Sequence, residues 1–325
     1  MAITLSACVA EEPETEALGE TVQALHGADS LASQSQANRA VALVRFTDGE
    51  WKRFCTGTLI DDDHVLTASH CQATTSHRVA FYTVPNQMDT SRMRAIEAVG
   101  VQPGVHPGDA DYENTSGKFA DIAILRLTAT VGAPAVVAQL KWTYPGSDYA
   151  STKVGAGRHS DPGAADQDTV AQLRQIADRT DSPDDNDGSF LARGQDVDPG
   201  DSGGTLYTPG SNGVGLWVTG VLYGYTWDWD SATYRDLYTS VPEHLDWILD
   251  VINYAWSGGT VSTGRIRSGT PFSTFTSSEL VCRYACDRTS ACEAYNYLVT
   301  LSMCQLLPAP GTSSAAPGFN SDVKP

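Results

Sequence analysis

The chain has 325 residues, 41% of them hydrophobic, and a formal net charge of −18. That length holds about two domains with buried cores, and the apolar content is that of a globular chain, not a disordered one. With 21 Lys and Arg against 39 Asp and Glu there is no cationic excess to neutralise phosphates, which excludes nucleic acid as a partner, and no run approaches the ~20 apolar residues of a membrane-spanning helix.

At the start, Leu5-Ser6-Ala7-Cys8 resembles the bacterial lipobox, in which a signal peptide is cut and the cysteine becomes a lipidated N-terminus. Only six residues separate Met1 from Cys8 and none is basic, which is short for a signal peptide's apolar region. Two alternatives stay open: a shortened leader with Cys8 as a lipid anchor, or an incidental cysteine. The lipid reading implies bacterial export, to the cell envelope as an outer-membrane lipoprotein or beyond it as a secreted protein. EEPETEALGE, residues 11–20, follows with five glutamates and no base, and the first Lys or Arg is Arg39. Such a stretch buries too little to fold, so residues 1–23 read as a signal or lipobox remnant and an acidic pro-segment or tether.

From about Ala40 to Trp256 the texture is that of short strands. VALVRF, CTGTLI, HVLTA, RVAFYTV, DIAILRL and WVTGVLYGY are β-branched or aromatic runs broken by Gly, Pro and Asp, a pattern of sandwich or barrel architecture. DSPDDNDGSF, residues 181–190, fails the calcium-loop spacing because Pro183 falls at the first ligand position, and reads as a solvated loop. PEHLDWILDVINYAW repeats Leu245, Ile248, Leu249 and Ile252 at helical spacing, with Pro242 near its start and Ser240 and Glu243 as a capping box. Gly, Ser and Thr dominate the next stretch, and residues 257–270 read as a linker. A short module, residues 271–325, ends the chain.

Seven cysteines are grouped: Cys55 with Cys71, then Cys282, Cys286, Cys292 and Cys304, with Cys8 left over. Six pairing among themselves fits an oxidising, exported location. Zinc is the other reading of the last four, but they lack paired C-x₂-C knuckles and an intervening histidine.

Three segments carry chemistry. CTGTLIDDDHVLTASHC sets His70 beside Cys71, FADIAILRL opens an apolar strand on Asp121, and DVDPGDSGGTL crowds Gly200, Asp201, Gly203 and Gly204 around Ser202. Singly, each has a plain explanation: a structural histidine, a strand cap, a polar turn. The order His, Asp, Ser with matching flanks in all three does not. With TASHC, DIAIL and GDSGG, the chain resembles the chymotrypsin/trypsin-like serine proteases from about Ala24 to Trp256.

The resemblance implies a mainly β fold of two six-stranded antiparallel β-barrels closed by a C-terminal helix, with a triad of the kind known from serine proteases and no cofactor or metal. His70 would act as general base and acid, Asp121 would orient it, and Ser202 would attack the carbonyl of a protein or peptide substrate. The N–H groups of Gly200 and Ser202 would hold the oxyanion. Asp201 would receive the new amino terminus after zymogen cleavage. The nearest match to the family's mature start is Ala24-Leu25-His26-Gly27, and it follows Gln23 and not a basic residue. In the S1 pocket, Asp196 takes the floor position, implying a preference for Arg or Lys at P1. Tyr223, Gly224 and Tyr225 stand where the wall segment runs, Asp236 replaces a pocket glycine as a second carboxylate, and Asp198 replaces a disulfide cysteine.

The module TSSELVCRYACDRTSACEAYNYLVTLSMCQLLP resembles the PAN/apple domain, a small α+β fold stapled by disulfides, with Thr276 and Glu279 in capping-box positions. That resemblance implies the pairs Cys282–Cys304 and Cys286–Cys292 and a protein or carbohydrate ligand, or a stabilising cap with no ligand. Together these readings give a secreted serine endopeptidase targeted by its last module. The rival is a non-catalytic protein- or carbohydrate-binding protein on the same scaffold, which the intact His70, Asp121, Ser202 and Gly200 disfavour.

Overall fold

A computed structural model of the chain describes residues 30–324, apart from 85–86, 107–111, 134, 145, 147, 158–172, 184–187, 194–196, 198–199, 211–215, 229–232 and 256–260. Cys8, the acidic stretch, Asp196 and Asp198 lie outside the described residues.

Strand β1 (Ser30–Leu31) leads into one helical turn, α1 (Gln34–Ala37), capped reciprocally by Ser33 and Gln36. Six strands follow: β2 (Ala40–Thr47), β3 (Glu50–Asp61), β4 (His64–Thr67), β5 (Arg78–Val84), β6 (Gln87–Val101) and β7 (Ala123–Leu127). They close antiparallel in the order β2-β3-β4-β7-β6-β5. Closure removes the open edges that a six-stranded sheet would otherwise expose. Val41, Leu43, Leu59, Val65, Leu66, Val79, Phe81, Ile124 and Leu125 are buried in its apolar core, each such side chain contributing about 1.5–3 kcal/mol.

The second barrel comprises β9 (Ala150–Gly155), β10 (Arg174–Pro183), β11 (Ser189–Arg193), β12 (Thr205–Pro209), β13 (Leu216–Asp228) and β14 (Thr233–Ser240), preceded by β8 (Gln139–Leu140). Its antiparallel order is β9-β10-β11-β14-β13-β12, with β12 pairing back to β9. Strand β8 adds parallel to β13, and β1 joins the edge of β10. The stretch expected to be one solvated loop is partly sheet, because 181–183 end β10 and 189–190 begin β11.

Helix α2 (Val241–Val251) buries Val241, His244, Leu245, Ile248 and Leu249. The helix predicted from the periodicity is present, but its capping box is not. Ser240 makes no side-chain cap bond, and Glu243 pairs with the Lys118 ammonium at 2.5 Å instead of turning back on the backbone.

The last module is a five-stranded antiparallel sheet with one helix. It contains β15 (Ser262–Arg267), β16 (Ser273–Thr276), α3 (Glu279–Arg288), β17 (Ala294–Leu298), β18 (Met303–Leu307) and β19 (Ser313–Val323), in the sheet order β15-β19-β17-β18-β16. Strand β15 pairs with β19, so this sheet starts within the stretch read as a linker. The cap of α3 is Ser278, whose hydroxyl accepts from Val281 N at 3.2 Å, and not Thr276, which closes β16. Disulfides join Cys282 to Cys304 and Cys286 to Cys292, as Cys55 joins Cys71 in the first barrel.

The module is seated on the body of the chain. Leu140 N donates to the buried Tyr284 hydroxyl at 2.8 Å, and Tyr254 donates to Asp287 at 2.9 Å. Ser278 donates to Asp246 of α2. Burial pushes the Tyr284 phenol up to about 12.

Candidate active site

Between β4 and β5 the residues Ser69–Cys71 form one 3₁₀ turn, and the Cys55–Cys71 disulfide ties that turn to β3. The turn faces Asp121, which lies two residues before β7 and is 1% exposed. One carboxylate oxygen, Oδ2, meets His70 Nδ1 at 2.6 Å. The other, Oδ1, accepts from His70 N at 2.8 Å and from the Ser69 hydroxyl at 2.7 Å. Two donors besides the imidazole face the carboxylate, and the tautomer in which Nδ1 donates to Oδ2 leaves Nε2 able to accept a proton. Thr239 of β14 donates to the Asp121 carbonyl at 3.0 Å, so the second barrel braces the same residue.

Ser202 lies on a turn stitched to both barrels. Its carbonyl accepts from Thr56 N of β3 at 2.8 Å, and the Thr56 hydroxyl donates to the Gly200 carbonyl at 2.8 Å. On the other side, Gly203 N donates to Leu222 O of β13 at 2.8 Å. Gly200 and Gly203 have φ of +99° and +80°, a left-handed backbone that favours glycine. At Gly203 space adds a second reason, since a Cβ would fall 2.2 Å from Thr56 O and from Thr67 Oγ1. Among the described residues, the Gly200 and Ser202 amides have no backbone acceptor.

Asp201 is buried beside this turn, and its carboxylate accepts from Gly157 N. Gly155 and Gly157 leave room for it, because a Cβ at either would overlap the carboxylate. The amino-terminal partner expected for Asp201 lies outside the described residues.

Of the expected pocket residues, Tyr223, Gly224 and Tyr225 share β13, with Gly224 opposite Leu237 and Tyr225 opposite Asp236 across a bulge. The Tyr223 ring lies 4.3 Å from that of Phe119, Phe119 lies 6.2 Å from Tyr112, and Tyr112 lies 6.4 Å from His70. These aromatic contacts link His70 to the expected pocket wall. Asp236 is fully buried and pairs with the Lys153 ammonium, so its charge is opposed inside the barrel.

Sequence reasoning missed Ser69, Thr56, Tyr112, Phe119 and Lys153. One signal was in view: TASHC carries a serine where the family motif has alanine, and that serine now bonds Asp121. The other four act through partners far away in sequence.

Elsewhere, Asp61, Asp63 and His64 bring one ligand atom each within 4.8 Å of one another at the β3–β4 turn. His64 Nδ1 sits 2.7 Å from Asp63 and 3.5 Å from Asp61. The imidazole bond holds the Asp61 carboxyl below its usual range. Among the described residues no helix is long and apolar enough to cross a membrane.

A family model described as Trypsin matches residues 30–248, which takes in both barrels and most of α2 and stops short of the last module. A relative, phenoloxidase-activating factor 3 of Holotrichia diomphalia, is 29% identical over 236 residues. That alignment covers 62% of this chain and spans 65% of the relative's own length.

Proposed function

Because the chain belongs to the trypsin family, we propose that it is a serine endopeptidase whose nucleophile is Ser202. The Ser202 Oγ adds to the scissile carbonyl carbon as its proton passes to His70 Nε2. The C–N bond then breaks, His70 hands that proton to the leaving amine, and an acyl-enzyme remains. Water repeats the sequence: His70 takes its proton, the hydroxyl adds to the acyl carbon, and the proton returns to Ser202 as the acid leaves. In both addition steps the Gly200 and Ser202 amides receive the developing oxyanion.

The observation that carries this reading is the clamp on His70: a buried carboxylate 2.6 Å from Nδ1 that also accepts from the backbone of the same residue. The imidazole is thereby oriented before substrate arrives, which is where much of a triad's advantage lies.

Asp196 is the carboxylate we assign to an Arg or Lys side chain at P1, since Asp236 is opposed by Lys153. Asp201 is assigned to the activating amino terminus. We read the last module as a PAN/apple unit that binds a protein or carbohydrate near the substrate. In support are its helix-on-sheet form and its two disulfides. The three bridges fit an extracellular protein, and lipidation of Cys8 would hold it at a bacterial cell envelope.

A fluorophosphonate probe tests the central assignment. Labelling of correctly processed protein that disappears in Ser202→Ala is the expected result, and no labelling of the parent would sink it. A P1 library scan addresses Asp196: cleavage mainly after aromatic residues, and not after Arg or Lys, overturns that role.

A further inference from the structure

The β3–β4 hairpin carries a set of donor atoms that the triad chemistry does not use. Asp61 ends β3, His64 begins β4, and the two residues pair across the hairpin. Residues opposite one another on antiparallel strands project to the same face, so this carboxylate and this imidazole meet. Asp63, inside the turn, adds a second carboxylate. One ligand atom from each of the three lies within 4.8 Å of the other two.

The histidine sets this cluster apart from a patch of surface acids. Its side chain is 9% exposed, against 44% for Asp61 and 27% for Asp63. Nδ1 is closed off from solvent, 2.7 Å from Asp63 and 3.5 Å from Asp61, yet neither carboxylate meets it in hydrogen-bond alignment. Buried polar atoms are ordinarily satisfied. An ion held between the two carboxylates would satisfy this one.

The donors also select the ion. Imidazole nitrogen with carboxylate oxygen suits a borderline ion such as Zn²⁺, bound at about 2.0–2.2 Å by each ligand. Two ligands held so at a tetrahedral angle stand about 3.4 Å apart. Asp61 is already at that separation from Nδ1, and Asp63 has only to draw back slightly. Ca²⁺ takes about six to eight oxygens, and the carbonyls of this turn are engaged elsewhere. Asp62 O accepts from Val131 N and Asp63 O from Leu127 N, both at 2.8 Å. The Arg288 guanidinium of α3 acts on Asp61 and opposes a cation, while the exposed Asp62 between the ligands favours one.

We propose that Asp61, Asp63 and His64 form a binding site for one Zn²⁺ ion, completed by water, that ties the end of β3 to the start of β4. Strand β4 ends one residue before the turn that carries His70, so the ion stiffens the approach to the triad without touching it. The site is independent of the reading of Ser202 as nucleophile.

The test is a calorimetric titration of the chelator-treated full chain with zinc chloride near neutral pH, repeated in excess calcium. The parent is expected to bind one Zn²⁺ at this site, and His64→Gln and Asp63→Asn should each weaken it at least about tenfold. Zinc should raise the melting temperature of the parent and of neither variant. Should His64→Gln fail to fold, Asp61→Asn, at the most exposed of the three ligands, takes its place and still decides. Absence of zinc binding by the parent would overturn the proposal. Binding that the variants leave unchanged would overturn it as well, by placing the ion elsewhere, with His70 the first candidate. Displacement of zinc by calcium would overturn the mixed nitrogen and oxygen donor set.

Discussion

The two barrels share strand number and closure but fill their interiors differently. In the first, an apolar core and the Cys55–Cys71 bridge hold six strands. The second has no cysteine, since none occurs between Cys71 and Cys282, and it buries Lys153, Asp236 and Asp201. Its threonines pair as well, Thr208 with Thr219 at 2.6 Å and Thr205 with Thr58 of the first barrel. Apolar packing is non-directional and tolerates repacking, whereas buried ions and hydroxyls accept one register only. The first barrel thus supplies a firm platform for His70 and Asp121. The second carries Ser202 on a mixed interior, apolar around Phe190, Leu206, Leu222 and Tyr238 and ionic at Lys153 and Asp236.

That division can be broken at the platform first. Asp121→Asn removes the acceptor that fixes the His70 tautomer, and kcat should fall by about 10⁴-fold with KM little changed. A loss below tenfold in steady-state assays would mean that His70 is oriented by something else. The next effect is on stability. Cys55→Ala with Cys71→Ala frees a loop of 16 residues in the unfolded chain, worth about 3 kcal/mol in denaturant titration. The cost should fall on the first barrel, so equal loss of amide-exchange protection in both barrels would show that they unfold as one unit.

A third test lies where α2 meets the first barrel. His244 is 2% exposed, donates from Nε2 to the Phe119 carbonyl at 2.8 Å, and accepts at Nδ1 from Gln102 at 2.7 Å. Burial holds its pKa down at about 4. Between that value and the unfolded 6.5 the unfolded chain binds the extra proton, so stability falls as pH drops through this window. By pH 5 the loss attributable to His244 is about 2 kcal/mol. His244→Gln, neutral at every pH, should flatten the melting temperature between pH 7 and pH 5. An unchanged slope would place the acid sensitivity elsewhere.

What was legible in the sequence was local. GDSGG, TASHC and DIAIL each hold their chemistry within five residues, and the period of α2 stands out because Leu245, Ile248 and Leu249 repeat within two turns. Strand β10, by contrast, reads RQIADRTDSP, more polar than a buried strand would suggest. It is a strand because β9, β11 and β1 pair with its backbone. The inward lysine of STKVGAG gives no local sign of its partners, which lie 25, 40 and 83 residues away at Asp178, Arg193 and Asp236. The capping box of α2 failed for a related reason. A helix-end carboxylate chooses among all nearby cations, and Glu243 found Lys118, which is 125 residues distant in the chain.

The smallest effect we expect separates orientation from packing within the first barrel itself. Ser69 is 2% exposed, and its hydroxyl is one of three donors on the Asp121 carboxylate. Ser69→Ala removes about 0.5–1.5 kcal/mol of hydrogen bonding, which corresponds to a roughly 3- to 10-fold loss in kcat. The remaining backbone N–H still holds Oδ1, so the loss stays far below that of Asp121→Asn. Ser69→Thr, which keeps a hydroxyl at this position, should restore kcat. A lower kcat that Ser69→Thr does not restore would reduce Ser69 to a packing residue in the 3₁₀ turn.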